Sequence, residues 1–116
     1  SLSGEFVTIE EDATFFDGHD NFIAYVASNF QYPREVLVNN LEGSATIFFE
    51  ITNEVIVKVN EVIVNALDES GQVKAEIERL FREMPKWYPA RQRGVPVSMD
   101  FEIQILYSAN NYGRKK

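Results

Sequence analysis

Val97-Ser98-Met99-Asp100-Phe101-Glu102-Ile103-Gln104-Ile105 alternates apolar and polar residues without a break. In an extended chain Val97, Met99, Phe101, Ile103 and Ile105 fall on one face, and Ser98, Asp100, Glu102 and Gln104 on the other. This pattern predicts a half-buried antiparallel strand with one wet face, running from Val97 to Leu106. Two upstream segments can pair with it. Ser44 to Thr52 sets Ala45, Ile47, Phe49 and Ile51 against Thr46, Phe48, Glu50 and Thr52. Val55 to Asn65 is rich in β-branched residues, but its alternation slips: Val55, Val57 and Val59 share a face before Asn60-Glu61, and Val62 and Val64 share it after. A β-bulge at Asn60-Glu61 keeps all five pointing inward. The polar break Thr52-Asn53-Glu54 predicts a long hairpin, although it holds no Asn-Gly or Asp-Gly pair.

Helical spacing fills the rest. Phe22, Ile23, Val26, Ala27 and Phe30 recur with a 3.6-residue period after an Asp17-Gly18-His19-Asp20 turn that can supply a cap. Tyr32-Pro33 ends that helix, because the residue before a proline is pushed out of the α region. Pro33 suits the first turn of a short helix, Arg34 to Asn39, closed by Asn40 and Gly43. Val73, Ile77, Leu80, Phe81 and Met84 form the stripe of a third helix over Ser70 to Met84. Asp68 or Ser70 can cap it, Glu78 stands four residues before Arg82, and Pro85 stops it. The order predicts an α+β fold, one antiparallel sheet with helices packed on one face.

Composition bounds the chemistry. The chain of 116 residues is 45% apolar and 25% charged, within reach of one modest core. It has no cysteine and one histidine, which removes disulfides, thiolate zinc and a cysteine nucleophile. A net charge of −7 argues against general nucleic-acid binding. The charge is uneven: residues 1–33 carry six acids and no Lys or Arg, and residues 79–116 carry eight bases and three acids. The opening Ser1-Leu2-Ser3-Gly4 has no initiator Met and reads as the stub of a processed or truncated protein. His19 between Asp17 and Asp20 lacks a second imidazole or thiolate to complete a metal set, and reads as a cap or surface residue. Asp100 and Glu102 share a strand face within reach of each other, as on many wet faces, and no nucleophile accompanies them. No glycine-rich phosphate loop is present. The residues point to no catalytic site, no metal and no cofactor.

Met84 to Pro96 is unusual: it holds the only Trp, three of the four prolines, and Lys86, Arg91 and Arg93. Interleaved bases and aromatics can clamp single-stranded nucleic acid, but the net acidity favours Trp87 packed on the core with the bases outward. The run MPKWYPARQRGVPVSMDFEIQI resembles the end of the C-terminal domain of the energy transducer TonB, in its Bacteroidetes form. Phe15-Phe16-Asp17-Gly18, NFIAYVASNFQYP with its Tyr32-Pro33 step, and Leu41-Glu42-Gly43 before an alternating strand resemble that family's opening. The motif positions are Tyr32, Pro33, Gly43, Pro85, Trp87, Pro89 and Gly94, and the likeness spans about residues 13–106. Two departures concern the hairpin tip: the family has an Asp-Gly-type turn where this chain has Thr52-Asn53-Glu54, and the hairpin here is about two residues longer.

The resemblance implies an α-α-β-β-α-β domain with a three-stranded sheet over residues 13–107, an N-terminal extension over 1–12 able to add a strand, and a tail over 108–116. It implies a periplasmic, non-enzymatic domain of a protein anchored in the inner membrane. Such a domain binds the TonB box of outer-membrane transporters by strand addition. It transmits force from the proton-gradient-driven inner-membrane motor complex, engaged through a region N-terminal to this sequence. The same fold also serves as a stand-alone or sensor-fused interaction domain. The expected peptide-binding edge is Val97, Ser98, Met99, Asp100, Phe101, Glu102, Ile103, Gln104 and Ile105, where unpaired backbone groups would accept an incoming strand. An edge of this kind also invites a homodimer, or cover by Phe6 to Ile9 or the tail.

Overall fold

The structure, a computed structural model, describes residues 9–110 and 112. Ten elements follow in order: β1 (Thr14–Phe15), α1 (His19–Asn29), α2 (Arg34–Val38), β2 (Glu42–Ile51), β3 (Val57–Asn65), α3 (Gln72–Arg82), β4 (Trp87–Tyr88), β5 (Ala90–Gln92), β6 (Val95–Val97) and β7 (Met99–Ser108). The main sheet is antiparallel with strand order β3-β2-β7. Ala45, Ile47, Phe49 and Ile51 of β2 are buried under the helices, as their alternation predicts. Phe49 carries most of the contact: its ring lies 5.1 Å from Phe101 of β7, 5.0 Å from Phe81 of α3 and 6.2 Å from Phe22 of α1.

The β2–β3 register shifts where Phe48 faces Glu61 and Phe49 faces Val59, leaving Asn60 as the extra residue. That is the predicted bulge, and Val55, Val57, Val59, Val62 and Val64 all reach the core through it. The hairpin tip differs from expectation. Val55 is a turn residue in the left-handed region, φ 63°, and β3 starts at Val57. Thr52 holds the tip: its N–H donates to the Ile56 carbonyl, and its Oγ1 accepts the N–H groups of Glu54 and Ile56. A short turn demands one left-handed residue, and a β-branched side chain supplies it here against its preference.

In α3, Val73, Ile77, Leu80 and Phe81 are buried along one stripe. Its first turn is capped from outside by Asp68, whose carboxylate accepts the N–H groups of Val73 and Lys74, while Ser70 Oγ accepts that of Gln72. The expected Glu78–Arg82 pair is replaced by another. Arg79 pairs with Glu76 at 2.7 Å and Glu83 at 2.9 Å, and donates to the Asn29 carbonyl. Glu76, only 9% exposed, also accepts the Gln31 N–H at 2.6 Å. The triad therefore ties α3 to the turn after α1, a tertiary role that helix spacing cannot reveal. Hydrogen bonding to Glu76 holds the Arg79 guanidinium still further above its ordinary pKa. At the start of α1, the cap position within the expected turn is Gly18, and no side chain bonds the first turn.

The Met84 to Pro96 segment is not a plain crossing. Trp87 and Tyr88 pair with Phe15 and Thr14, and β5 pairs with β6 through Arg93 and Gly94, both at positive φ. Two left-handed residues in a two-residue loop make a type I′ turn, whose twist suits a hairpin. Trp87 is buried, within 5.2 Å of both Phe22 and Phe101. Of the N-terminal extension, Phe6 to Thr8 lie outside the described residues. Glu10 and Glu11 bond to Arg91 of β5 rather than joining the main sheet.

Two substitutions test this packing. Gly43 faces Tyr107, and a Cβ there would collide with Ala66 and stand 2.9 Å from Tyr107 Oη. Gly43→Ala is expected to cost about 2 kcal/mol by overpacking, read as a lower denaturant midpoint with an unchanged slope. At the hairpin tip, the left-handed cost of about 1–2 kcal/mol outweighs the partial burial of Val55. Val55→Asn is therefore expected to raise Tm by about 3 °C in a calorimetric scan.

Candidate functional site: an open strand edge beside an apolar groove

β7 pairs only with β2 among the described strands, in an unbroken register from Glu42↔Ser108 to Ile51↔Met99. The Ala109 N–H donates to the Leu41 carbonyl at 2.9 Å, which sets the phase of the ladder. In an antiparallel pair the residues alternate between bonded and non-bonded. Tyr107, Ile105, Ile103, Phe101 and Met99 therefore turn their backbone groups to β2. The N–H and C=O of Asp100, Glu102, Gln104 and Leu106 point the other way, out of the sheet. At the C-terminal end this open run closes on Tyr32, whose hydroxyl accepts the outward Ser108 N–H at 3.1 Å.

The predicted edge residues are therefore not all equivalent. Met99, Phe101, Ile103 and Ile105 face the core, and Asp100, Glu102 and Gln104 are exposed on the wet face. The structure differs at the start: Val97 pairs with Ala90 in β6, and Ser98 Oγ accepts the Asn53 N–H at 3.2 Å. Pro96 and the β5–β6 hairpin claim these two residues, so the open edge begins at Asp100. At the other end β7 continues through Leu106, Tyr107 and Ser108.

The sequence pattern did not single out the second wall. Ile23 and Ala27 read as core residues of α1, yet Ile23 is 51% exposed. Phe22 and Tyr25 are the residues that turn inward, meeting Phe15 at 5.5 and 5.7 Å. That rotation leaves Ile23, Val26 and Ala27 lining a groove of about 190 Å³ against Ile103 and Ile105. The groove lies on the inner side of the open edge. A chain added to β7 would drop alternate side chains into it. The signal was available: α1 carries apolar residues around more of its circumference than one core-facing stripe needs.

The family-motif positions mostly shape this site. Pro33 starts α2 and places Tyr32 at the end of the edge. Gly43 leaves room for Tyr107, which is buried and stacks on Phe30 of the groove wall at 6.2 Å. Trp87 lies under Phe101. Pro85 and Pro89 bracket β4, and Gly94 completes the type I′ turn. Among the described residues no cluster of three or more His, Asp or Glu is placed to hold a metal ion.

The two edges of the sheet are built differently. β3 is kinked by its bulge and carries Lys58, devices that discourage strand pairing. β7 has no bulge, Pro or Lys along ten residues.

The arrangement of three helices on one face of the β3-β2-β7 sheet is similar to the solution structure of the TonB C-terminal domain of Helicobacter pylori. The likeness has a TM-score of 0.52 over 74% of this chain and 75% of that one, at 19% sequence identity. This chain has a TonB C-terminal-domain-like fold. No protein-family model matches it, and no curated protein sequence matches it.

Tyr107 makes one feature of this region testable. Its buried hydroxyl has no hydrogen-bond partner among the described residues, and burial, reinforced by Asp68, raises its pKa above the ordinary 10.0. Above pH 10 the unfolded chain releases this proton while the native state retains it, so stability falls as pH rises. Tyr107→Phe is expected to gain about 1 kcal/mol at neutral pH by removing the orphan hydroxyl. It should also flatten the loss of Tm above pH 10, leaving the part contributed by Tyr25, which burial raises likewise.

Proposed function

We propose that this chain is the peptide-gripping domain of a TonB-like energy transducer. It works in the periplasm and is held to the inner membrane by a segment N-terminal to this sequence. Its ligand is an extended segment of an outer-membrane transporter, the TonB box, which it takes up as a new strand along β7. The observation that carries the reading is the unbroken run of outward backbone groups from Asp100 to Leu106 with an apolar groove on its inner side. Main-chain bonds give the grip and alternate side chains give the choice. Each ladder bond is worth only about 0.5–1.5 kcal/mol net, so holding strength depends on several acting together. The domain needs no catalytic group for this work, and Asp100 and Glu102 act as surface charges.

Titration with TonB-box peptides, followed by amide shifts, tests the reading. Shifts are expected along Asp100 to Leu106 and in Ile23, Val26 and Ala27 of α1. Gln104→Pro is the decisive variant. The Gln104 N–H points away from β2, so proline there spares the sheet ladder but removes a donor from the open edge. Binding should fall about two- to tenfold while amide dispersion stays native. A peptide N-methylated at alternate residues should lose binding to the unaltered protein in the same way. Retained binding in both experiments, or shifts confined to another surface, would refute strand addition.

A further inference from the structure

Resting on the strand-addition reading, we propose that β7 selects an extended segment that alternates apolar and basic side chains, with Lys or Arg opposite Asp100 and Glu102. The apolar half of this preference comes from the groove. Side chains opposite Ile103 and Ile105 would enter the space walled by Ile23, Val26 and Ala27, which suits Val, Ile or Leu.

The basic half comes from the wet face, which no helix covers. The register lines up Asp100, Glu50 and Lys58 in one cross-strand row, and Glu102, Phe48 and Glu61 in the next. These rows hold four carboxylates (Asp100, Glu50, Glu102 and Glu61) and one ammonium. Both ion pairs found among the described residues belong to Arg79, so none of the four is spent on one. Asp100 and Glu102 occupy the outermost positions of their rows, directly beside the place an added strand would take. Opposite charges across a strand pair attract and like charges repel.

The same geometry works against a second copy of this chain. Antiparallel self-pairing centred on Asp100, Phe101 or Glu102 brings Asp100 onto Asp100, Asp100 onto Glu102, or Glu102 onto Glu102. The carboxylates therefore disfavour those three registers of self-pairing, and admit a strand of opposite charge.

Two capped octapeptides test this, Thr-Lys-Val-Lys-Val-Thr-Val-Ser and the same sequence with Glu for both Lys, with their reversed sequences covering the other strand direction. Titrations of the whole protein at low salt, read by amide shifts in β7 and α1, should show the Lys peptide binding about fivefold tighter than its Glu counterpart. The ratio should shrink as salt is raised. In the double variant Asp100→Asn, Glu102→Gln the two affinities should converge to within about twofold. Equal affinities for the unaltered protein, or a preference surviving the double variant, would overturn the charge selection while leaving strand addition intact. No β7 shift with any of the peptides would overturn both.

Discussion

Trp87 and Phe49 fix the geometry on which the open edge depends. Trp87 touches the rings of Phe15, Phe22, Phe49 and Phe101, so β1, α1, β2 and β7 meet at one side chain. Phe49 brings Phe81 of α3 into the same cluster. Each such ring pair adds about 0.5–1.5 kcal/mol beyond the area it buries, and tilted contacts are orientation-selective in a way that aliphatic packing is not. Phe22 anchors the start of α1 in this cluster, and Phe30, just past its end, stacks on Tyr107. Held at both ends, the helix lies beside the inner face of β7. It fills the core under the strand, and its remaining apolar side chains border the edge without covering the backbone.

Among the described residues the strand that leaves this cluster has an unpaired outer side because of its phase as well as its position. With Tyr107, Ile105, Ile103, Phe101 and Met99 bonded to β2, every core-facing residue of β7 spends its backbone on the sheet. Every wet-face residue directs its backbone outward. A one-residue slip would exchange the two sets and put carboxylates into the core, so burial of Phe101 and Tyr107 sets which backbone groups are left for a partner. The Tyr32 hydroxyl bounds the open run at its C-terminal end, and at the other end the chain turns into the β5–β6 hairpin at Val97.

Much of this was legible in the sequence because burial writes a period into it. The alternation of β2 and β7, the slip at Asn60 and the Val73–Phe81 stripe each follow from one face being dry, and the structure places them accordingly. Trp87 was expected on the core and is there. What stayed hidden depends on residues distant in sequence. The Glu76–Arg79 clasp answers to Gln31 and Asn29, which helix spacing does not reach. The β5–β6 hairpin is too short to carry a period, and its turn is Arg93-Gly94 instead of the commoner Asn-Gly. Assigning Val97 and Ser98 to the last strand followed the alternation correctly but missed the break that the hairpin imposes. The groove was missed for a related reason. Apolar periodicity tells which residues avoid water, and Ile23 carries that signal while remaining half exposed.

The direction of load decides what such an edge can do. A strand lying along β7 and pulled along its own length strains all of its ladder bonds together, because each is perpendicular to the force. Pulled from one end across the sheet, the same bonds would break one at a time, and each alone is worth about 0.5–1.5 kcal/mol. The receiving strand must also not yield first. β7 is joined to β2 along its whole length of ten residues, and β2 lies at the centre of the sheet, bonded to β3 on its far side. Phe101 and Phe49 stack across the β7–β2 pair beneath the ladder. In the proposed strand addition, β7 is bound into the fold by more bonds than the run from Asp100 to Leu106 could offer a partner. A grip of the proposed kind would release under tension before the domain unravels, as a reversible coupling requires.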